Sequence, residues 1–380
     1  MKKIFFTTAF IFFLIASCNE SNVEKKDIEK IFVDCDDVEG ISHNDYFENI
    51  ELINLETSQK SLIHKINRLY FFKEKIYILD KKQNSIFVFD KTGRFFRKIR
   101  NVGRGPGEYI QIGDFTIDEK NNEIIVSMEI PKKVYRYNLS GNFNNSFKVN
   151  DCYGAFISIV GNKIVLSGIN EKYDYTTHEY NKSTGEFIKS TDKKCKNSYN
   201  YPMIRGMYPN MIKSSKSYYN QPLDRYIFSL NDSAKRRRYL IDFGENNLPI
   251  NIKNKLVDFN ILGYCRENNF KTLINSFRDN EDYLFFRYEP ASFVLYNKET
   301  QHTQVFNHIM DSNTGMNIYN IFPHDGSFNG VVSIMNPINI ISRAELIEKN
   351  NIEIEDSTLF NLRSKVTESD NPIILRYAFR

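Results

Sequence analysis

Tryptophan is absent from the 380 residues, although tyrosine (23) and phenylalanine (31) are plentiful. The missing indole weakens any carbohydrate-stacking reading and leaves phenol rings as the available platform. Histidine is sparse, with six scattered residues and no HExxH or other ligand spacing, so the sequence predicts no metal and no cofactor. A ring-shaped fold can still gather ligands from distant segments. The five cysteines are too widely spaced for a CxxC redox or zinc motif. Cys35, Cys152, Cys195 and Cys265 could pair in three ways or remain thiols, because a core this large needs no cross-links. No GxSxG elbow occurs, and Cys195 has no identifiable base partner. Charge of one sign is also lacking, with 51 Lys and Arg against 47 Asp and Glu, which argues against a nucleic-acid partner. The one dense basic run, Lys235 to Arg238, reads as a solvated hairpin turn.

Long apolar runs are missing except at the start. Lys2 and Lys3 precede an apolar stretch from Ile4 to Ile15, which has signal-peptide length and is short for a bilayer span. Ile15-Ala16-Ser17-Cys18 then resembles a bacterial lipobox, in which the cysteine is lipidated and becomes the mature N-terminus. A plain signal peptide with an incidental Cys18 is the alternative. Residues 19 to 30 are polar and charged without apolar period and read as a tether. The expected organisation is a signal peptide over 1–17, a lipidated tether over 18–42 and one domain over 43–380. Loss of Lys2 and Lys3 would lower the formal charge from +4 to +2.

What fills the remainder is strand. KIYILD (75–80) precedes SIFVFDKTGRFFRKI (85–99), EIIVSM (123–128) precedes KVYRYNLSGNFNNSFKV (133–149), and KIVLSG (163–168) precedes HEYNKSTGEFIKS (178–190). Each unit closes on a glycine turn at Gly93, Gly141 or Gly185, spaced 48 and 44 residues apart. Weaker copies follow at 224–244 and 282–306, and a sixth at 328–335. Four-stranded units repeating at this interval predict an all-β fold, a six-bladed β-propeller. One small sheet cannot bury both its faces alone, whereas a ring of them can. Helix signals are confined to SRAELIEKN (342–350), with Ser342 and Glu345 placed as a capping box, and DSTLFNLRSKV (356–366), capped by Asp356. Both are expected as short helices inserted in the last blade before IILRYAFR (373–380) returns to strand.

These segments carry a resemblance. Residues 50–109, with Leu55-Glu56-Thr57 and Gly105-Pro106-Gly107-Glu108, together with YLIDFGENNLP (239–249) and NPIILRYAF (371–379), resemble the bacterial six-bladed β-propeller lipoproteins, related to NHL and TolB-like propellers. The resemblance implies that an N-terminal strand near 48–55 closes the ring against the blade built by 328–379.

The segment NVGRGPGEYIQIGDF (101–115) packs three glycines and a proline into five residues. A phosphate-binding loop would need Lys and Ser or Thr after its last glycine and a helix beyond. Here Glu108 follows and a strand is expected, so no nucleotide is predicted. The segment reads as a connector between blades. Arg104, Glu108, Tyr109 and Asp114 are candidate ligand contacts at the channel rim. The alternative is that Glu108 and Arg104 serve the loop's own backbone. A second candidate is the tyrosine-rich stretch 196–226, where Arg205 and Tyr208 stand with Tyr199, Tyr201, Tyr218 and Tyr219 as a possible platform. Ordinary strands of the fourth blade would explain the same tyrosines.

The resulting expectation is a lipid-anchored module of the cell envelope that binds or scaffolds an envelope protein, peptide or glycan on its channel face. An alternative is a hydrolase or lyase with carboxylates or a metal assembled in the channel.

Overall fold

The computed structural model describes residues 28–36, 38–149, 153–169, 175–193, 211–213, 216–221, 223–231, 235–253, 258–290, 292–351 and 358–380. Its strands form six sheets arranged as a six-bladed β-propeller. The first blade runs Arg68–Phe72, Lys75–Asp80, Ser85–Asp90 and Phe95–Ile99 from axis to rim. Its residues show why the blades need one another. Leu69, Phe71, Ile76, Ile78, Phe87 and Phe89 pack with Ile53, Val332 and Ile374 of the sixth blade. Their neighbours Tyr70, Tyr77, Leu79 and Val88 pack with Ile112, Phe115 and Ile117 of the second. Alternate residues point to opposite faces, so a blade buried on both sides reads as a continuous apolar run.

The second and third blades repeat this four-stranded order over 111–148 and 153–193. The turn glycines Gly93, Gly141 and Gly185 have φ of 87°, 87° and 75°, the left-handed conformation these hairpins require. The fourth blade ends on Lys235–Asp242 and the fifth on Thr303–Asp311. Each then gains a further outer strand from the start of the chain. Glu29–Phe32 pairs in parallel with Lys235–Asp242, and Glu39–Ser42 in parallel with Thr303–Asp311. The stretch expected to be tether as far as residue 42 is thus sheet from Glu29 onward. Ile31, Val33 and Ile41 supply the apolar contacts that hold it there.

Ring closure follows the expected route. Phe47–Asn54 pairs antiparallel with Ile373–Phe379, Leu52 opposite Leu375, beside Gly330–Met335. The inner edge of this sixth blade is incomplete. A single bridge joins Phe322 to Val332, and the next residues, Asp325–Gly326, pair in parallel with Arg68–Phe72 of the first blade. They also approach Met211–Lys213 of the fourth blade across the axis, so this segment occupies the channel.

Two helices are inserted in the sixth blade, as expected, but the first begins earlier. Pro337–Asn350 starts after Asn336, whose side chain makes no capping hydrogen bond, with proline in its first turn, and Ser342 lies inside it. Proline's fixed φ and missing N–H suit that first turn, so the predicted capping box does not form. Ile340, Ile341, Ala344 and Ile347 make its buried stripe. The second helix is Thr358–Arg363, and its expected cap, Asp356, lies outside the described residues. A third helix, Asp258–Glu267, was not expected. It packs Ile261 and Cys265 against Leu223 and Leu273. No helix among the described residues is long and apolar enough to cross a membrane.

Candidate functional site

Because the strands of each blade alternate in direction, the two ends of every inner strand lie on opposite faces of the ring. Connectors between blades, including 100–110, share one face. Turns that follow the inner strands, such as 119–122, 280–282 and 327–329, share the other.

The glycine-rich connector is occupied with itself. Glu108 Oε2 accepts from the Gly105 N–H at 2.7 Å, and the Glu108 N–H donates to the Gly105 carbonyl at 3.1 Å. Tyr135 and Tyr137 hydroxyls donate to the carbonyls of Glu108 (2.9 Å) and Gly107 (3.0 Å). Tyr109 is buried between the first two blades and donates its hydroxyl to the Asn84 carbonyl at 2.9 Å. Arg104 is exposed. Asp114 lies in the interior on the second inner strand. Its Oδ2 accepts from Arg68 Nη1 at 2.7 Å and from the Ile157 N–H at 3.0 Å. Arg68 Nε reaches Asp325 Oδ2, also at 2.7 Å. Burial pushes the Asp114 carboxyl up while Arg68 pulls it down. One buried cation therefore ties the inner strands of two blades to the segment in the channel. Of the predicted residues, Glu108, Tyr109 and Asp114 are committed to these internal contacts. Cys18, Arg205 and Tyr208 lie outside the described residues.

A cavity of about 720 Å³ opens on the opposite face, lined by Lys216, Arg238, Tyr239, Asp279, Lys298 and Phe328 among others. Asp279, at the end of the fifth inner strand, is its hub. Its carboxylate accepts from the hydroxyls of Tyr218 and Tyr239, the latter at 3.2 Å, and from Lys298 Nζ. Lys298 also donates to the Asn280 carbonyl. Asn280 Nδ2 donates to Asn329 Oδ1 at 3.0 Å, and Tyr70 donates to Glu119 Oε1 at 2.7 Å. Burial first, and the Asp279 charge second, push the Tyr218 and Tyr239 phenols well up, so both are held as donors.

The floor is the segment in the channel. Arg278, buried, donates to the carbonyls of His324 (3.2 Å), Gly326 (3.4 Å) and Phe328. Burial pushes its guanidinium down to about 10. His324 lies between Phe71, which it meets edge-to-face, and the tilted ring of Phe328, with centroids 5.5 Å from each. Burial, and then the Arg278 charge, hold it well below the ordinary imidazole range.

Of the tyrosine platform, Tyr218 and Tyr219 are both buried in the strand Ser217–Asn220. The others in that stretch, Tyr199 and Tyr201, lie outside the described residues. The cavity residues escaped sequence reasoning because they come from strands and turns of several blades, spread between residues 119 and 329. Asp279 ends its strand just as Asp118 does, and Asp118 pairs with Lys182 at 3.0 Å and accepts from Asn121 Nδ2 at 2.8 Å in its own turn. Cys35 and Cys265 are free thiols. Cys152 and Cys195 lie outside the described residues. Among the described residues no three His, Cys, Asp or Glu side chains gather to hold a metal ion.

A family model described as "Domain of unknown function (DUF4934)" matches residues 28–378. Among solved structures, the chain is similar to a Bacteroides fragilis protein described as a "putative exported protein". That likeness has 19% identity and a TM-score of 0.71, and covers 93% of this chain and all of that one. A member of the DUF4221 family from Bacteroides vulgatus is matched at 12% identity, over 88% and 97% of the two chains, with TM-score 0.49. Virginiamycin B lyase from Staphylococcus aureus is matched at 13%, over 68% and 73%, with TM-score 0.40. At 19% identity the first of these likenesses shows the fold alone. No functionally curated protein matches the sequence.

Proposed function

The chain belongs to the family described as domain of unknown function DUF4934, and from that membership and the geometry above we propose that it is a binding module of the cell envelope. It is held to the membrane by a lipid on Cys18 and takes a peptide or glycan in the cavity around Asp279. Kinship with lipoprotein propellers of the NHL and TolB-like type belongs to the same proposal. The observation that carries it is the cavity itself. About 720 Å³ lies within the range of small-ligand sites. Its wall sets Asp279, Tyr239 and Lys298, joined by hydrogen bonds and backed by the buried Tyr218, beside the apolar Phe328 ring. A preorganised mixture of donors, acceptors and one ring suits recognition, because little ordering entropy remains to be lost on binding. The phenols of Tyr218 and Tyr239, raised by burial, hold their protons and donate hydrogen bonds to Asp279, which fixes that carboxylate in the wall.

Thermal-shift and equilibrium binding against envelope-derived peptides and glycans tests this. Lys216→Glu, in the cavity wall, is expected to weaken the hit about tenfold or more, while Arg104→Glu, on the connector face, leaves it unchanged. Equal loss in both variants, or loss in Arg104→Glu alone, overturns the assignment of face. Membrane fractionation of Cys18→Ala tests the lipid separately, and release into the soluble fraction is expected.

A further inference from the structure

We propose that the edge where the chain enters the propeller docks on anionic phospholipid, and that this contact turns the cavity-bearing face toward the bilayer. The inference rests on the lipid-anchor reading above and adds an orientation and a partner surface to it.

The position of entry carries the argument. Glu29 stands opposite Tyr239 in a parallel pair, and its Oε2 lies 3.2 Å from Arg238 Nη2. Arg238 and Tyr239 are themselves part of the cavity wall. The chain arriving from Cys18 therefore meets the fold at the cavity's rim. Nine residues, and so ten Cα–Cα steps, lie between Cys18 and Ile28. Such a length reaches at most about 35 Å when extended and about 17 Å on average as a coil. An acyl group on Cys18 would hold this rim close to the surface, and the connector face farther from it.

The rim also has the chemistry of an interfacial surface. Arg236 and Arg237 are exposed on the outer strand beside the point of entry. Arg237 lies over the Tyr226 ring at 4.2 Å from its centroid, which holds its charge in place. At the point of entry Ile28 is 40% exposed, whereas Phe32 stands opposite Asp242 at the far end of the strand, where Lys30 pairs with the Asp242 carboxylate at 2.6 Å. Cations beside exposed apolar side chains are the combination that sits at a headgroup boundary. Within a Debye length of an anionic leaflet, each arginine contributes about fivefold in partitioning. The edge needs little intrinsic affinity, because the anchor would supply a high effective concentration.

The test uses the chain from Asn19, which contains every residue of the described fold, with an N-terminal hexahistidine captured on vesicles carrying a nickel-chelating lipid. Acetylation of native lysines is read by mass spectrometry. Lys216 and Lys120 report the cavity face, and Lys82, on a turn at the connector face, is the reference. On vesicles containing phosphatidylglycerol, Lys216 and Lys120 are expected to react about threefold or more slowly relative to Lys82. That protection should vanish on phosphatidylcholine, at about 0.5 M salt and in Arg236→Gln/Arg237→Gln. Equal reactivity of the two faces on the acidic vesicles overturns the proposal, as does protection that persists on neutral vesicles. Capture by the tag makes this result independent of Cys18. A Cys18→Ala chain that stays with membranes would count against the lipid reading alone.

Discussion

Asn371 is fully buried and ties the ring shut with one side chain. Its Nδ2 donates to the carbonyls of Glu56 (2.8 Å) and Ser61 (3.0 Å), and its Oδ1 accepts from the Ile63 N–H at 2.8 Å. Asn247 does similar work after the fourth blade, accepting from Arg225 at 2.9 Å and from the Phe243 N–H at 3.0 Å. Glu108 does so in the glycine-rich connector. The short motifs that made the sequence resemble a propeller family therefore brace the connectors that lead from one blade to the next. His324 supports a prediction at this scale. Its pKa is lowered below 6.5 by burial and by Arg278, so the unfolded chain binds the proton more readily than the folded one. Stability from this residue is complete above about pH 7 and declines as pH falls through 6.5, by at most about 1.4 kcal/mol per pH unit. Denaturant melts between about pH 5 and 7 should show this slope, and His324→Leu should flatten it. An unchanged slope would mean that another group titrates.

Among the elements, the two parallel strands at the start of the chain depart furthest from expectation. Their sequence is too short and too charged to announce itself, since EKIF and EGIS each bury one apolar residue deeply. Strand pairing is decided by the edge available, and the outer edges of the fourth and fifth blades supply unsatisfied N–H and carbonyl groups. Ile31, almost wholly buried among Tyr218, Ile227 and Tyr239, tests this placement. Ile31→Ala should cost about 2–4 kcal/mol, read as a lower urea midpoint with unchanged slope. A cost under about 0.5 kcal/mol would show that the strand contributes no core. The helix Asp258–Glu267 was overlooked for a related reason. Its buried residues Ile261 and Cys265 form a single i, i+4 pair, and Asn269 in the left-handed conformation (φ 59°) was the available stop signal.

For the whole molecule, closure means that no blade is terminal. Each buries both faces only while its neighbours stand, and Phe47–Asn54 joins the first part of the chain to the last. A chain ending at Asn371 loses Ile373–Phe379, leaving Phe47–Asn54 without its partner. It is expected to give no soluble five-bladed remnant, and far-UV circular dichroism with size-exclusion chromatography would reveal one if it formed. The occupied channel belongs to this scale too. The sixth blade's innermost segment crosses to pair with the first blade and is held there by Arg68 and Arg278. The cavity lined by Asp279 and Phe328 lies on the face of the turns, away from the connectors.

Alternation of apolar residues, glycine turns at regular spacing and the closing strand were all legible from the chain, because they depend on neighbours a few residues apart and on the need of each sheet to cover two faces. The cavity, its Asp279 hub and the face on which it opens were not, because they arise where turns from separate blades converge, a juxtaposition that only ring closure creates.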